Sequence, residues 1–240
     1  MALPFNTTPT YNVTIPSTQE SIKYRPFLVK EEKALLIAQH SEDQIVMIDT
    51  LKNIIKSCTL DKINPDTLAT FDIEYLFTQI RAKSVGENVD LLFPCDIDHG
   101  EDNEKAKVKI TFDSTKINVE IPEGHNKKIE LFDDVGVIMK YPSINIIKQL
   151  ENVSIDDIEA VFNIISSSID IIYNGSEMFH TKEQNKKDVV EFLENLTSNQ
   201  FSKIQKFFDT MPRLRQSVKY TCPVCSREHD KVLEGLDSFF

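Results

Sequence analysis

Three residues near the C-terminus have the types and the spacing to hold a metal ion. Cys222-Pro-Val-Cys225 is a C-x2-C turn, and His229 follows four residues after the second cysteine. Such a turn brings two thiolates to one point because its backbone amides face the sulfurs. Pro223 stiffens it, and strand-like residues on either side make it resemble one hairpin of a zinc ribbon. A structural Zn²⁺ takes four ligands, and the tail offers three. Cys95 and His99, a C-x3-H pair, are the candidates for the fourth. Three arrangements stand open: one site joining both pairs, two half-ribbons with only one metallated, or thiols that bind no metal.

Other chemistry finds little support. A redox C-x2-C sits at a helix N-terminus after a strand, whereas here another strand follows the motif. The six glycines, at positions 86, 100, 124, 136, 175 and 235, are isolated, so there is no phosphate-cradling loop. Neither H-E-x-x-H nor G-x-S-x-G occurs. His40 and His180 stand beside polar residues and are expected at the surface, and His125 reads as a turn residue. Asp133 and Asp134 fall in a loop, and Asp156 and Asp157 at a helix start. No tryptophan is present to anchor a carbohydrate. The expectation is a protein without catalytic activity.

Composition narrows the class further. The 240 residues carry a net charge of −11, a field that repels phosphate backbones. The segment 213–231 runs against it, with Arg213, Arg215, Lys219, Arg227 and Lys231 set against Glu228 and Asp230. That mild patch keeps a zinc-ribbon regulator contacting nucleic acid as the alternative function. No apolar run is long enough to span a membrane, and the first residues lack the pattern of a secretory signal. The protein is therefore expected in a cytoplasm, where four cysteines do not form a disulfide framework. Cys58, in helical register with Ile48, Leu51 and Ile55, is expected in a core.

The elements that must position these residues follow from periodicity. Tyr11–Ile15 and Ser21–Arg25 alternate around a turn at Pro16, predicting an N-terminal hairpin. Helices are predicted at about 30–40, 43–58 and 71–83. A strand at 87–95 leads to an acidic loop. Val108, Ile110 and Phe112 alternate, as do Ile117, Val119 and Ile121, and the turn between predicts that they pair as a hairpin. Short strands are predicted at 128–132 and 135–141. Ser154-Ile-Asp-Asp157 resembles a capping box opening a long helix through Ile155, Ile158, Phe162, Ile165, Ile169 and Ile172, ended by Asn174-Gly175. Helices at about 181–196 and 199–211 precede the tail strands at 217–221 and 231–233.

The fold class is thus α+β: a helical body with an N-terminal β-hairpin, a central β-rich insert and a C-terminal zinc-ribbon-like hairpin. The expected segments are 1–84, the insert 85–141, a helical 142–212 packing with the N-terminal helices, and the tail 213–240. The terminal Phe239-Phe240 either packs on the knuckle or anchors a partner.

Three stretches carry a resemblance. They are Thr10-Tyr-Asn-Val-Thr-Ile-Pro16 running into Lys23-Tyr-Arg-Pro-Phe-Leu-Val-Lys-Glu-Glu-Lys33, Phe71-Asp-Ile-Glu-Tyr-Leu-Phe-Thr-Gln-Ile-Arg-Ala-Lys-Ser-Val-Gly86, and Cys222-Pro-Val-Cys225 with Leu233-Glu-Gly-Leu-Asp-Ser-Phe-Phe240. Together they resemble the baseplate hub assembly proteins of T4-type contractile-tailed bacteriophages. The resemblance implies a non-enzymatic protein that works among hub and tail proteins. It would act as chaperone or minor baseplate component, in the host-cell cytoplasm during virion assembly or in the finished baseplate. In many relatives the β insert also begins with a cysteine pair, where this chain has only Cys95 and His99.

Overall fold

A computed structural model of the chain describes residues 7–146 and 158–238. The described strands are β1 (Tyr11–Thr14), β2 (Ser21–Tyr24), β3 (Asn88–Phe93), β4 (Val108–Asp113), β5 (Asn118–Glu120), β6 (Lys128–Phe132), β7 (Val135–Met139), β8 (Ile169–Asn174), β9 (Glu177–His180), β10 (Arg213–Thr221) and β11 (Glu228–Glu234). The helices are α1 (Val29–Ser41), α2 (Gln44–Cys58), α3 (Thr70–Val85), α4 (Ile158–Ser167), α5 (Lys186–Glu194) and α6 (Ser198–Asp209). This is the α+β mixture expected from the sequence. The expected cap at 154–157, with Ile155, Asp156 and Asp157, lies outside the described residues, as does Phe239-Phe240. The chain forms two compact units: one from 1–65, 71–120 and 213–240, the other from 66–70 and 121–212.

In the first unit, β1 and β2 form the N-terminal hairpin, with Tyr11 opposite Tyr24. Its inward residues Val13, Ile15, Ile22 and Tyr24 are buried. Directly after β2, the Arg25 guanidinium donates to Glu31 Oε1 and to Ser57 Oγ, both at 2.8 Å. Glu31 Oε2 accepts the Leu28 backbone N–H at 2.8 Å, so the same carboxylate also caps α1. Asp43 Oδ1 caps α2 by accepting the Ile45 N–H. Ile48, Leu51, Ile55 and Cys58 form the buried face of α2, and burial pushes the Cys58 thiol up to about 11. Cys58 is a core residue.

Two further hairpins complete this unit. β3 pairs with β4, and β10 pairs with β11, both antiparallel. Phe93, Val218 and Tyr220 are buried between them, with Leu91, Val108, Ile110, Phe112 and Leu233 packed around. The hairpin predicted between 108–112 and 117–121 does not form. The alternation there is real, but β4 pairs back onto β3, and β5 joins the free edge of β10 with Glu120 opposite Arg213. The connection explains the difference. Asp113 caps a 3-10 turn at Ser114–Lys116 through the Thr115 N–H, and the Ser114 N–H goes to the Glu87 carbonyl. That geometry turns the chain out of the β3–β4 ribbon instead of folding it back upon β4.

The second unit is a four-stranded antiparallel sheet in the order β6-β7-β8-β9 with helices against it. Its core gathers Leu131, Val137, Met139, Ile165, Ile169, Val189, Leu193, Ile204 and Phe207. The strands at 128–139, expected within the central insert, thus pair with chain that was predicted helical. The long helix ends at Ser167, and Ile169–Asn174 is a strand. Ser166, Ser167 and Ser168 turn their hydroxyls onto the carbonyls of Asn163 and Ile164, which weakens helix continuation. The β-branched residues that follow favour a strand. Asn174-Gly175 is accordingly a hairpin turn, with Gly175 at φ +58°, and not a helix stop. α6 is capped by Thr197: the Thr197 N–H donates to Gln200 Oε1, and the Gln200 N–H to Thr197 Oγ1.

His125 is more than a turn residue. Its ring nitrogens lie 3.0 Å from Thr210 Oγ1 and 3.1 Å from the Tyr141 hydroxyl, and the ring stacks on Tyr141 and Phe207. It ties the entry of the second unit to the end of α6.

Candidate metal centre

Two loops of the first unit converge. The first follows β3. Pro94 offers its carbonyl to the Tyr220 hydroxyl at 2.8 Å, which pins the strand end to β10. Cys95 comes next, and the Ile97 N–H points at its sulfur, 3.5 Å away. Asp98 Oδ1 then accepts from the Gly100 N–H at 2.9 Å and from Asn103 Nδ2 at 2.7 Å, while Asn103 Oδ1 accepts the His99 N–H at 2.8 Å. Those bonds hold the Asp98 carboxyl below its usual range, the Gly100 amide foremost. A short polar loop is thereby fixed around His99. Gly100, at φ +59°, supplies the left-handed residue on which it turns.

The second loop joins β10 to β11. The Ser226 N–H donates to the Cys222 carbonyl at 2.9 Å, and the Cys222 N–H to the Arg227 carbonyl at 2.8 Å. Ser226 takes a positive φ of 59° to close the turn. This folds Val224 and Cys225 back so that their amides face the Cys222 sulfur. Burial pushes the Cys222 thiol up, yet the amides of Cys225 and Val224 and the neighbouring thiols outweigh it and bring the group to about 6. Cys95 moves the other way. Burial and the other two cysteines push its thiol up, because several thiolates in one place repel one another.

Together the loops gather Cys95, His99, Cys222 and Cys225, whose ligand atoms all lie within 4.8 Å of one another. Cys95 Sγ stands 3.8 Å from Cys225 Sγ, and Cys222 Sγ stands 3.6 Å from His99 Nε2. Both the C-x3-H pair and the C-x2-C pair therefore face a single point, with Cys222 buried and Cys225 exposed. Three sulfurs and one imidazole nitrogen can hold a metal ion there.

His229 stands outside this group, contrary to its expected place as third ligand of the tail. Only 7 % exposed, its ring stacks on Tyr220 at 4.8 Å between centroids. Nε2 lies 3.3 Å from Cys95 Sγ, and Nδ1 lies 3.2 Å from Asp96 Oδ2. The reason is register: His229 sits opposite Tyr220 inside the β10–β11 ladder, so the pleat aims it at β3's end rather than at the knuckle's centre. Asp96 and Lys231, which meet at 3.2 Å, also border the group. Their only sequence signal is that Asp96 adjoins Cys95 and that Lys231 lies two positions, hence one strand face, from His229.

The family model described as T4 bacteriophage base plate protein matches residues 8–240. The chain belongs to that family. No curated protein and no solved structure matches it. As a phage baseplate protein it works among other phage proteins, and among its described residues no helix is long and apolar enough to cross a membrane. The matched span includes both hairpins that carry the Cys/His group.

Proposed function

We propose that this baseplate protein is a non-enzymatic assembly factor of the baseplate hub, a chaperone or minor component that acts by binding hub and tail proteins. The family match over residues 8–240 carries the reading. A structural Zn²⁺ at Cys95, His99, Cys222 and Cys225 belongs to it. A tetrahedral zinc with bonds of about 2.3 Å to sulfur and about 2.0 Å to nitrogen has edges of about 3.8 Å between sulfurs and about 3.5 Å between sulfur and nitrogen. The separations of 3.8 Å and 3.6 Å match one edge of each kind, and the four atoms together lie within 4.8 Å of one another. Four protein donors leave no coordination position for a substrate water, which argues for a brace and against hydrolytic chemistry. A metal held there would tie Cys95 and His99 to Cys222 and Cys225, residues far apart in sequence.

The nucleic-acid alternative loses its main support. Arg213 and Arg215 pair with Glu234, Lys219 lies 3.7 Å from Asp230, and Lys231 lies 3.2 Å from Asp96. Four of the five cations that made the patch thus have an acidic partner, Arg213 and Arg215 sharing one and Lys231 finding its own in the loop after β3.

Co-purification of the tagged protein from infected cells, with mass spectrometry of its companions and elemental analysis, tests the reading. Hub or tail proteins and about one zinc per chain are expected. Recovery of ribosomal or transcription proteins alone would sink the assembly role. Abundance in lysate with absence from purified virions would assign the chaperone role, and retention in virions the component role.

A further inference from the structure

The two halves of the metal centre are unequally supported. Cys222 Sγ faces two backbone amides, those of Val224 and Cys225. The C-x3-H loop offers Cys95 Sγ one, the Ile97 N–H at 3.5 Å. Three thiolates on one dication leave a net negative charge, and N–H donors to sulfur stabilise that charge. Cys95 is therefore short of a donor by comparison with Cys222.

His229 stands where that donor is needed, with Nε2 3.3 Å from Cys95 Sγ. Resting on the zinc reading above, we infer that His229 is a positioning residue of the metal centre, donating an N–H···S hydrogen bond to Cys95 while Asp96 and Lys231 hold its far side. The ring has little freedom. It is stacked on Tyr220, whose hydroxyl holds the Pro94 carbonyl beside Cys95. Nδ1 meets the Asp96 carboxylate at 3.2 Å, and the other oxygen of that carboxylate meets Lys231 Nζ at 3.2 Å. The Asp96 carboxylate faces one ring nitrogen and the Cys95 sulfur the other, so the ring is held between two acceptors. The arrangement runs from exposed Asp96 and half-buried Lys231 inward to the ligand sulfur. It orients Cys95 and retards departure of the metal.

The test uses the full-length protein loaded with Co²⁺, whose spectrum reports the donor set, and the rate of metal transfer to a chelator. Phe at position 229 keeps a planar ring against Tyr220 and removes the donor, whereas Gln keeps a side-chain N–H. H229F is expected to retain the tetrahedral ligand-field bands, to shift the sulfur-to-cobalt charge-transfer band, and to release metal about tenfold faster or more. H229Q is expected to restore release to near the wild-type rate, and D96N to give a smaller acceleration. H229F indistinguishable from wild type overturns the inference. So does loss of the tetrahedral bands in H229F with their retention in H99A, since His229 would then be the ligand. Should H229F fail to fold, D96N decides, because the Asp96 side chain is 60 % exposed. Faster release in D96N supports the inference, and unchanged release overturns it. A wild-type protein that takes up no Co²⁺ or Zn²⁺ overturns the metal reading itself, an outcome distinct from the others.

Discussion

The second unit and the ribbon end of the first are stabilised by different means. The sheet β6-β7-β8-β9 and helices α4, α5 and α6 bury nine apolar side chains in one cluster, including Ile169, Leu193 and Ile204 at no more than 1 % exposure. The paired hairpins β3–β4 and β10–β11 bury Phe93, Val218 and Tyr220 in theirs, with five half-buried apolar residues around them and Leu214 in an adjoining pair. So small a cluster does not by itself offset the entropy of ordering four strands, and small β modules of this kind rely on metals or disulfides. The Cys/His group sits at the end of the hairpins where the apolar cluster runs out. The difference gives the proposed metal a place in folding, and it can be broken or sharpened in several ways.

The largest effect is expected from removing the metal, by chelation or by Cys222→Ser. Structural zinc contributes on the order of 10 kcal/mol to small modules. Backbone amides of β10 and β11 should lose hydrogen-exchange protection, while those of β7 and β8 keep theirs. Continued protection of β10 and β11 in the chelated protein would mean that Phe93, Val218 and Tyr220 suffice. Ile204→Ala should do the converse, costing about 2–5 kcal/mol through lost burial and a cavity. Chemical denaturation should show that loss, and the metal stoichiometry should not change.

A third lever is acid. Burial alone would push the Glu31 carboxyl up, but hydrogen bonds from Arg25, the Leu28 amide and Ser57 bring it from an ordinary 4.5 to about 2. A lowered carboxyl stabilises the fold fully above its unfolded value and loses that contribution as pH falls through the folded one. The contribution is about 3 kcal/mol, fading between about pH 4.5 and pH 2. Glu31→Gln should remove it at neutral pH and flatten this part of the acid limb in a pH series of thermal melts. The smallest effect is expected for Asp230→Asn, which breaks the exposed contact with Lys219 and should change stability by less than about 1 kcal/mol. A larger loss would show that charge, and not metal, holds the tail hairpin.

Much of this was legible in the chain. The N-terminal hairpin and the helices at 29–41, 44–58 and 70–85 follow from periods of two and of three to four, which depend on near neighbours only. So does the burial of Cys58. The candidate ligands were all visible as residue types, and the open choice between one shared site and two half-sites is narrowed by the gathering of Cys95, His99, Cys222 and Cys225. What failed was partner choice. Val108–Phe112 alternates whether it pairs with 117–121 or with 88–93, and a side-chain pattern cannot tell these apart. Ile165, Ile169 and Ile172 fit a helical stripe as well as they fit the end of a helix followed by a strand. The serines at 166–168 were the local sign of the break.

His229 shows where the division lies. The sequence by itself determined that a histidine near a C-x2-C turn could reach a metal, since type and spacing decide reach. Only the tertiary structure decided that it stands beside the gathered Cys95, His99, Cys222 and Cys225 and not among them. Its pairing opposite Tyr220 in the β10–β11 ladder aims the ring at Cys95 and Asp96, residues more than a hundred positions away. That placement depends on strand register and on the meeting of two hairpins, which no local spacing encodes.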